Sequence, residues 1–239
     1  MTRGFAVLSE LCTRVPGEPV ELLAAIGHGR SFGMPSSVLG RGLPGILQCG
    51  LWRALDARPA PVTRAVVGDV GNDLLYGAPV DTILAWVDEC LRRLRAAGAE
   101  VVLTSLPPHV RTLSRARFLA FRTLFFPARH LTYEGMRPAV AALDDGLQKL
   151  AQAHGVALAP LRPEWYGFDP IHIRPWHCRR AWGEILAFGG PPLCCPRVGI
   201  VRSLATYRLF PERQWLFGRE MQRPQPCRRL ADGTSFSFY

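Results

Sequence analysis

The apolar positions of this chain alternate between two periods. Residues 20–29, VELLAAIGHG, form a compact apolar run closed by glycines, the pattern of a buried strand. Residues 45–57, GILQCGLWRALDA, space their apolar side chains as a short helix does. TRAVVGDVGND (63–73) reads as a second strand running into a glycine-rich turn. DTILAWVDECLRRLRAAG (81–98) gives the clearest helical signal, with Ile83, Leu84, Val87, Leu91 and Leu94 as its stripe. Arg92, Arg93 and Arg95 sit near its end, where cations favour the macrodipole, and Gly98 supplies a stop. AEVVLTSLPP (99–108) is a third buried strand, ended by prolines. An Arg- and Phe-rich segment follows at 111–131, helical in character but poorly periodic. Then come an amphipathic helix at 137–155, a strand at 156–161 and a last core helix at 178–188.

Strands alternating with helices at this spacing predict an α/β fold: right-handed crossovers and a mostly parallel sheet covered on both faces. No internal repeat is visible. The character changes near residue 189. The expected organisation is therefore one α/β domain over 1–188 and a C-terminal extension over 189–239 packed against it. Asp232-Gly233 and the alternation after it suggest a hairpin or an added strand there.

Composition narrows the class without naming it. The 239 residues suffice for one sizeable core. The longest apolar stretches fall short of the roughly 20 residues that span a bilayer. The first residues, MTRGFAVLSELCTRVPGE, lack a signal peptide's apolar core and cleavage site, which predicts a cytoplasmic protein without a membrane partner. Seven cysteines, two of them adjacent at Cys194 and Cys195, include no CxxC pair, so reduced, buried thiols are expected. No metal and no cofactor is called for. The formal charge of +10 comes almost wholly from arginine, Lys149 being the one lysine. These arginines are spread along the chain without an arm or a dense run, which argues against a nucleic-acid partner.

Candidate chemistry gathers where an open parallel sheet binds ligands, at the carboxyl ends of its strands. GHGRSFG, with Ser31, follows the first strand. GND, with Asn72, follows the second, and SLPP follows the third. DPIH, with Asp169 and His172, follows the last. A serine, an amide, glycines, a histidine and an aspartate are the parts of an acyl-transfer site. Each also has a plain structural reading. Ser31 suits a turn, Asn72 and Asp73 suit a cap, and Asp169 suits the turn at Pro170.

With GRSFG (29–33), GND (71–73), VVLTSLPP (101–108) and DPIH (169–172) in this order, the chain resembles the SGNH (GDSL-type) hydrolases over roughly residues 20–188. The resemblance implies a flavodoxin-like three-layer α/β/α fold and hydrolysis of a small-molecule ester. It implies Ser31 as nucleophile, His172 as base and Asp169 as the residue that orients it. Asn72 and Gly45 would be oxyanion donors, with Gly42 an alternative to Gly45. His28, Arg30, Asp73 and Trp165 are candidates for substrate binding. The family's first block usually reads Gly-Asp-Ser, and Arg30 stands in its middle place here. A second register, setting Gly27-His28-Gly29 on the block, puts Gly29 in the serine's place. In that register the chain would be a catalytically silent module that binds an acyl or sugar ligand. Asp144 and Asp145 look like a solvated helix face.

Overall fold

The computed structural model describes residues 19–27, 29–38, 40–58, 62–119, 132–188 and 210–239. His28, Cys12, the Cys194-Cys195 pair, most of the Arg- and Phe-rich segment and the start of the C-terminal extension lie outside them. The chain is mixed α/β with several sheets, one of them parallel. It divides into two compact units, one of Met1–Ala60 with Pro175–Tyr239 and a middle one of Pro61–Arg174.

The middle unit is built on a three-stranded parallel sheet in the order β4 (Arg64–Val67), β5 (Glu100–Thr104), β6 (Ala157–Ala159). Residues Val101–Thr104 of β5 are all buried, as a strand covered on both faces requires. A short helix, α2 (Asn72–Leu75), and the long α3 (Val80–Ala96) connect β4 to β5. From β5 the chain passes through α4 (Pro108–Arg111) and, beyond residue 131, the 22-residue α5 (Tyr133–His154) to β6. Parallel strands need such crossovers, and these place the three carboxyl ends on one edge.

Sequence spacing dictates how α3 and α5 pack. Ile83, Val87 and Leu91 of α3 and Leu143 and Leu147 of α5 have no exposed surface. Each such burial contributes roughly 1.5–3 kcal/mol. Gly146 lets the two helices approach closely, because a Cβ there would lie 2.7 Å from Leu84 Cδ2. His154 Nε2 and Asp88 Oδ1, 2.6 Å apart, tie the same pair of helices. Helix α5 starts one turn earlier than the position of Pro138 suggests. The Thr132 side chain caps it by accepting from the Gly135 N–H at 3.1 Å, and Pro138 is accommodated in its second turn. It ends at Gly155, which is left-handed at φ 60°.

The solvated reading of Asp144 is corrected by the structure. The side chain is buried, accepts from the Leu106 N–H at 3.4 Å and Gln148 Nε2 at 3.3 Å, and pairs with Arg111. Helical spacing puts it beside Leu143 and Leu147 on the core side, and a carboxylate is tolerated there because its acceptors are met.

The other unit carries two small sheets. Strand β1 (Glu21–Ala24) pairs in parallel with β10 (Ser235–Phe238), and β10 pairs antiparallel with β9 (Arg228–Arg229). The first strand of the sequence thus takes a C-terminal neighbour and is not a strand of the β4-β5-β6 sheet. Ala24, Phe236 and Phe238 form the small core beneath this pairing. Asp232-Gly233 makes the turn from β9 to β10, with Gly233 at φ 90° and the Thr234 N–H bonded to Asp232 Oδ1 at 2.9 Å. The second sheet is antiparallel and sets the hairpin β2 (Ser36–Val38)–β3 (Arg41–Leu43) beside the hairpin β7 (Arg213–Leu216)–β8 (Arg219–Gln222). Helices α1 (Leu51–Asp56) and α6 (Cys178–Leu186) complete the described part of this unit. Cys49, Cys90 and Cys178 are buried. Among the described residues no helix is long and apolar enough to cross a membrane.

Candidate functional site

The carboxyl edge of the β4-β5-β6 sheet collects polar side chains from three successive connections. After β6, residues 165–174 form a loop whose ends are joined by the Arg174 N–H donating to the Trp165 carbonyl at 2.8 Å. Asp169 organises its interior. One carboxylate oxygen accepts the N–H groups of Ile171 (3.0 Å) and His172 (3.1 Å), and the other lies 2.6 Å from His172 Nδ1. An ionised carboxylate only accepts, so the Nδ1 proton is fixed and Nε2 carries the free lone pair. Both side chains keep over two-fifths of their surface exposed, at 43% for Asp169 and 42% for His172. No described residue is bonded to Nε2.

Burial works to raise the Asp169 carboxyl. The hydrogen bond and charge of His172, with the two backbone N–H groups, outweigh it and hold the group below its ordinary value. The spacing of DPIH therefore does what an acid–base pair needs: a preset carboxylate, an oriented imidazole and an open ring nitrogen.

Two features of this edge escape the sequence motifs. Asp69 lies just past β4 in the left-handed conformation, at φ 59°. Its side chain is exposed, and partial loss of hydration raises its carboxyl while the charge of His172 pulls it down. A Gly-Asp pair at a strand end was the available signal, since Asp tolerates that conformation better than most residues. The second is Arg117, whose guanidinium donates to the carbonyls of Gly167 (2.7 Å) and Phe168 and lies over the Phe168 ring. It braces the loop that carries Asp169 and His172, and nothing in its local sequence marks it.

Four more residues of the middle unit bear on this edge. Asn72 opens α2, with its main-chain N–H bonded to the Asp69 carbonyl at 3.2 Å. Its side-chain amide is uncommitted among the described residues. Asp73 and Trp165 are wholly buried, so neither presents surface at this edge. His109 connects α4 to the loop, with Nε2 3.1 Å from the Pro163 carbonyl and its ring edge-on to Tyr166.

Ser31, Arg30 and Gly45 belong to the other unit and lie together there. Ser31 is completely buried. Its hydroxyl oxygen accepts the N–H groups of Gly33 (3.2 Å) and Met34 (2.9 Å), and its own N–H donates to Ser36 Oγ at 3.4 Å. Gly45 packs against this loop so closely that a Cβ would lie 2.9 Å from the Met34 nitrogen. The next residues bond back to the loop, Ile46 N–H to the Ser31 carbonyl and Leu47 N–H to that of Phe32. Arg30 is buried beneath, donating to the carbonyls of Pro44 (3.0 Å), Ile26 (3.5 Å) and Tyr239. Burial lowers its pKa, offset in part by the Cys49 thiol. His28 lies outside the described residues. No family model matches the chain, and no curated protein matches it.

Proposed function

We propose that the chain is a serine-dependent ester hydrolase of the SGNH kind, with the flavodoxin-like three-layer arrangement of that group. The observation that carries the proposal is the Asp169–His172 pair, 2.6 Å apart, with its outer imidazole nitrogen unbonded among the described residues. Its position after the last of three parallel strands, with Asn72 after the first, supports the family reading.

In the proposed reaction Ser31 Oγ attacks the ester carbonyl carbon and its proton passes to His172 Nε2. Asn72 donates its amide to the oxygen that gains charge, with Gly45 a second donor. His172 then protonates the departing alcohol. A water, deprotonated by the same nitrogen, attacks the acyl carbon, and His172 returns that proton to Ser31 Oγ as its bond to the acyl group breaks and the carboxylic acid leaves. Asp169 holds the proton on Nδ1 and stabilises the imidazolium. The substrate is a small-molecule ester.

A second reading has an observation in its favour. Ser31 is buried and its oxygen is engaged by two backbone N–H groups, the arrangement of a turn serine. In that reading the chain is a silent module that binds an acyl or sugar ligand. Turnover of p-nitrophenyl acetate and butyrate, with labelling by a fluorophosphonate, separates the two. The hydrolase reading expects turnover and label in the wild type, and background levels in Ser31→Ala and His172→Ala. Turnover lost in His172→Ala but kept in Ser31→Ala would move the nucleophile elsewhere. A wild type inert to both reagents would favour the binding module.

A further inference from the structure

A cavity of about 610 Å³ opens between α4 and the first turns of α5, lined by side chains that the ester chemistry does not use. Arg111, Arg115, Tyr133 and Glu134 line it where α5 begins. Arg137, Ala141 and Asp145 recur at i, i+4 and i+8, so they form one stripe of α5. The opposite face of the helix, with Met136, Val140, Leu143 and Leu147, is core. The small side chain of Ala141 leaves room in the middle of this stripe, and the Tyr133 hydroxyl, donating to the Leu113 carbonyl at 2.8 Å, ties the start of α5 to the segment ahead of it.

The charges here are unevenly satisfied. Arg111 is paired with the buried Asp144. Arg115 and Glu134 are 3.8 Å apart and both about 70% exposed, at 71% and 69%, so their attraction is small. Arg137 has no carboxylate partner within 4 Å among the described residues, and neither has Asp145 an arginine. The two lie eight residues apart on α5, about 12 Å along its axis. Arg115, beside Glu134, and Arg137 lie at the N-terminal end of the helix, where the free N–H groups add partial positive charge, while Arg111 is held further along by Asp144. The carboxylate of Asp145 stands about two turns further along, next to the Asp144–Arg111 pair.

We infer that this cavity binds a small bipolar molecule, a phosphate ester carrying hydroxyl or ammonium donors. The guanidiniums of Arg115 and Arg137 take the phosphate, since a planar fork matches its oxygens. Asp145 accepts from the donors at the far end. The volume suits a ligand of phosphorylated-sugar size and exceeds what inorganic phosphate would fill. The inference is independent of the hydrolase reading, because none of these residues belongs to that site.

Calorimetric titration of the full chain at constant ionic strength tests it, with glucosamine 6-phosphate, glucose 6-phosphate, glucosamine and inorganic phosphate as probes. Glucosamine 6-phosphate is expected to bind at least about tenfold more tightly than phosphate or glucosamine alone. Arg137→Ala should weaken it by about tenfold. Asp145→Ala should remove its advantage over glucose 6-phosphate. Ala141→Leu fills space in the cavity without changing charge and should abolish binding, while Arg92→Ala on an exposed face of α3 should leave it unchanged. Circular dichroism establishes that each variant is folded. No binding at millimolar concentration would overturn the proposal. So would binding equal to that of phosphate alone, or binding that survives both Arg137→Ala and Ala141→Leu.

Discussion

Replacing Asp169 by Asn separates the two tasks this carboxylate performs. Oδ1 accepts two backbone N–H groups, at 3.0 and 3.1 Å, and an amide oxygen in the same place can accept both. Oδ2 lies 2.6 Å from His172 Nδ1, and there an amide presents NH₂ instead of oxygen. The imidazole must then accept at Nδ1 and carry its proton on Nε2, which removes the base without removing the loop. The stability cost of Asn is therefore small, below about 0.5 kcal/mol. Asp169→Ala loses both backbone bonds, nominally about 1 kcal/mol each. The side chain is 43% exposed and water replaces part of that, so about 1 kcal/mol in total is expected. In hydrolysis of a p-nitrophenyl ester, both variants should fall by roughly 10²–10⁴ in kcat. Nitrogen chemical shifts of ¹⁵N-histidine report the tautomer independently of any substrate, and His172 should change from the Nδ1–H to the Nε2–H form in Asp169→Asn. An unchanged tautomer would refute the argument about the pair. A changed tautomer with unchanged turnover would refute the role of His172 as base.

Three further outcomes follow from the same geometry. Asp144→Ala leaves the buried Leu106 N–H without its acceptor, and urea unfolding should show a loss of about 2 kcal/mol, against under 1 kcal/mol for the exposed Asp145→Ala. Gly146→Leu drives a side chain into Leu84 and should cost roughly 1–3 kcal/mol despite the better helix propensity of Leu, with Leu84→Ala restoring part of the loss in the double variant. Glu89 is held at about 2 by hydrogen bonds from Arg92 and Arg93, against an ordinary value of 4.5. Its depressed folded-state value means that its favourable contribution is present above 4.5 and is lost as pH falls towards 2. A carboxyl NMR titration should show this, and Arg92→Ala with Arg93→Ala should return the midpoint towards 4.5.

The middle unit was legible in the sequence because local signals agree there. The stripe from Ile83 to Leu94 fixes α3, Gly98 and Gly155 fix helix ends, and the run from Val101 to Thr104 can only be a buried strand. DPIH was legible for the same reason: an Asp three residues before a His closes a turn on itself, so their meeting needs no distant partner. Asp69 was less visible, because its link to His172 depends on where two chain segments a hundred residues apart are brought together.

The sequence by itself determined the long helices, the strands of the middle sheet and the Asp169–His172 turn, since each rests on interactions within a few residues. Only tertiary structure decided the partner of β1, because any apolar strand can pair with several others. The alternating Phe236 and Phe238 of β10 supply the face that Ala24 packs against. Tertiary structure also decided the state of individual polar groups. It buried Asp144 against the Leu106 N–H, enclosed Arg30 among carbonyls and engaged the Ser31 hydroxyl in its own loop. Hydration and hydrogen bonding are set by whatever the fold brings near, and the order of residues along the chain carries no record of that.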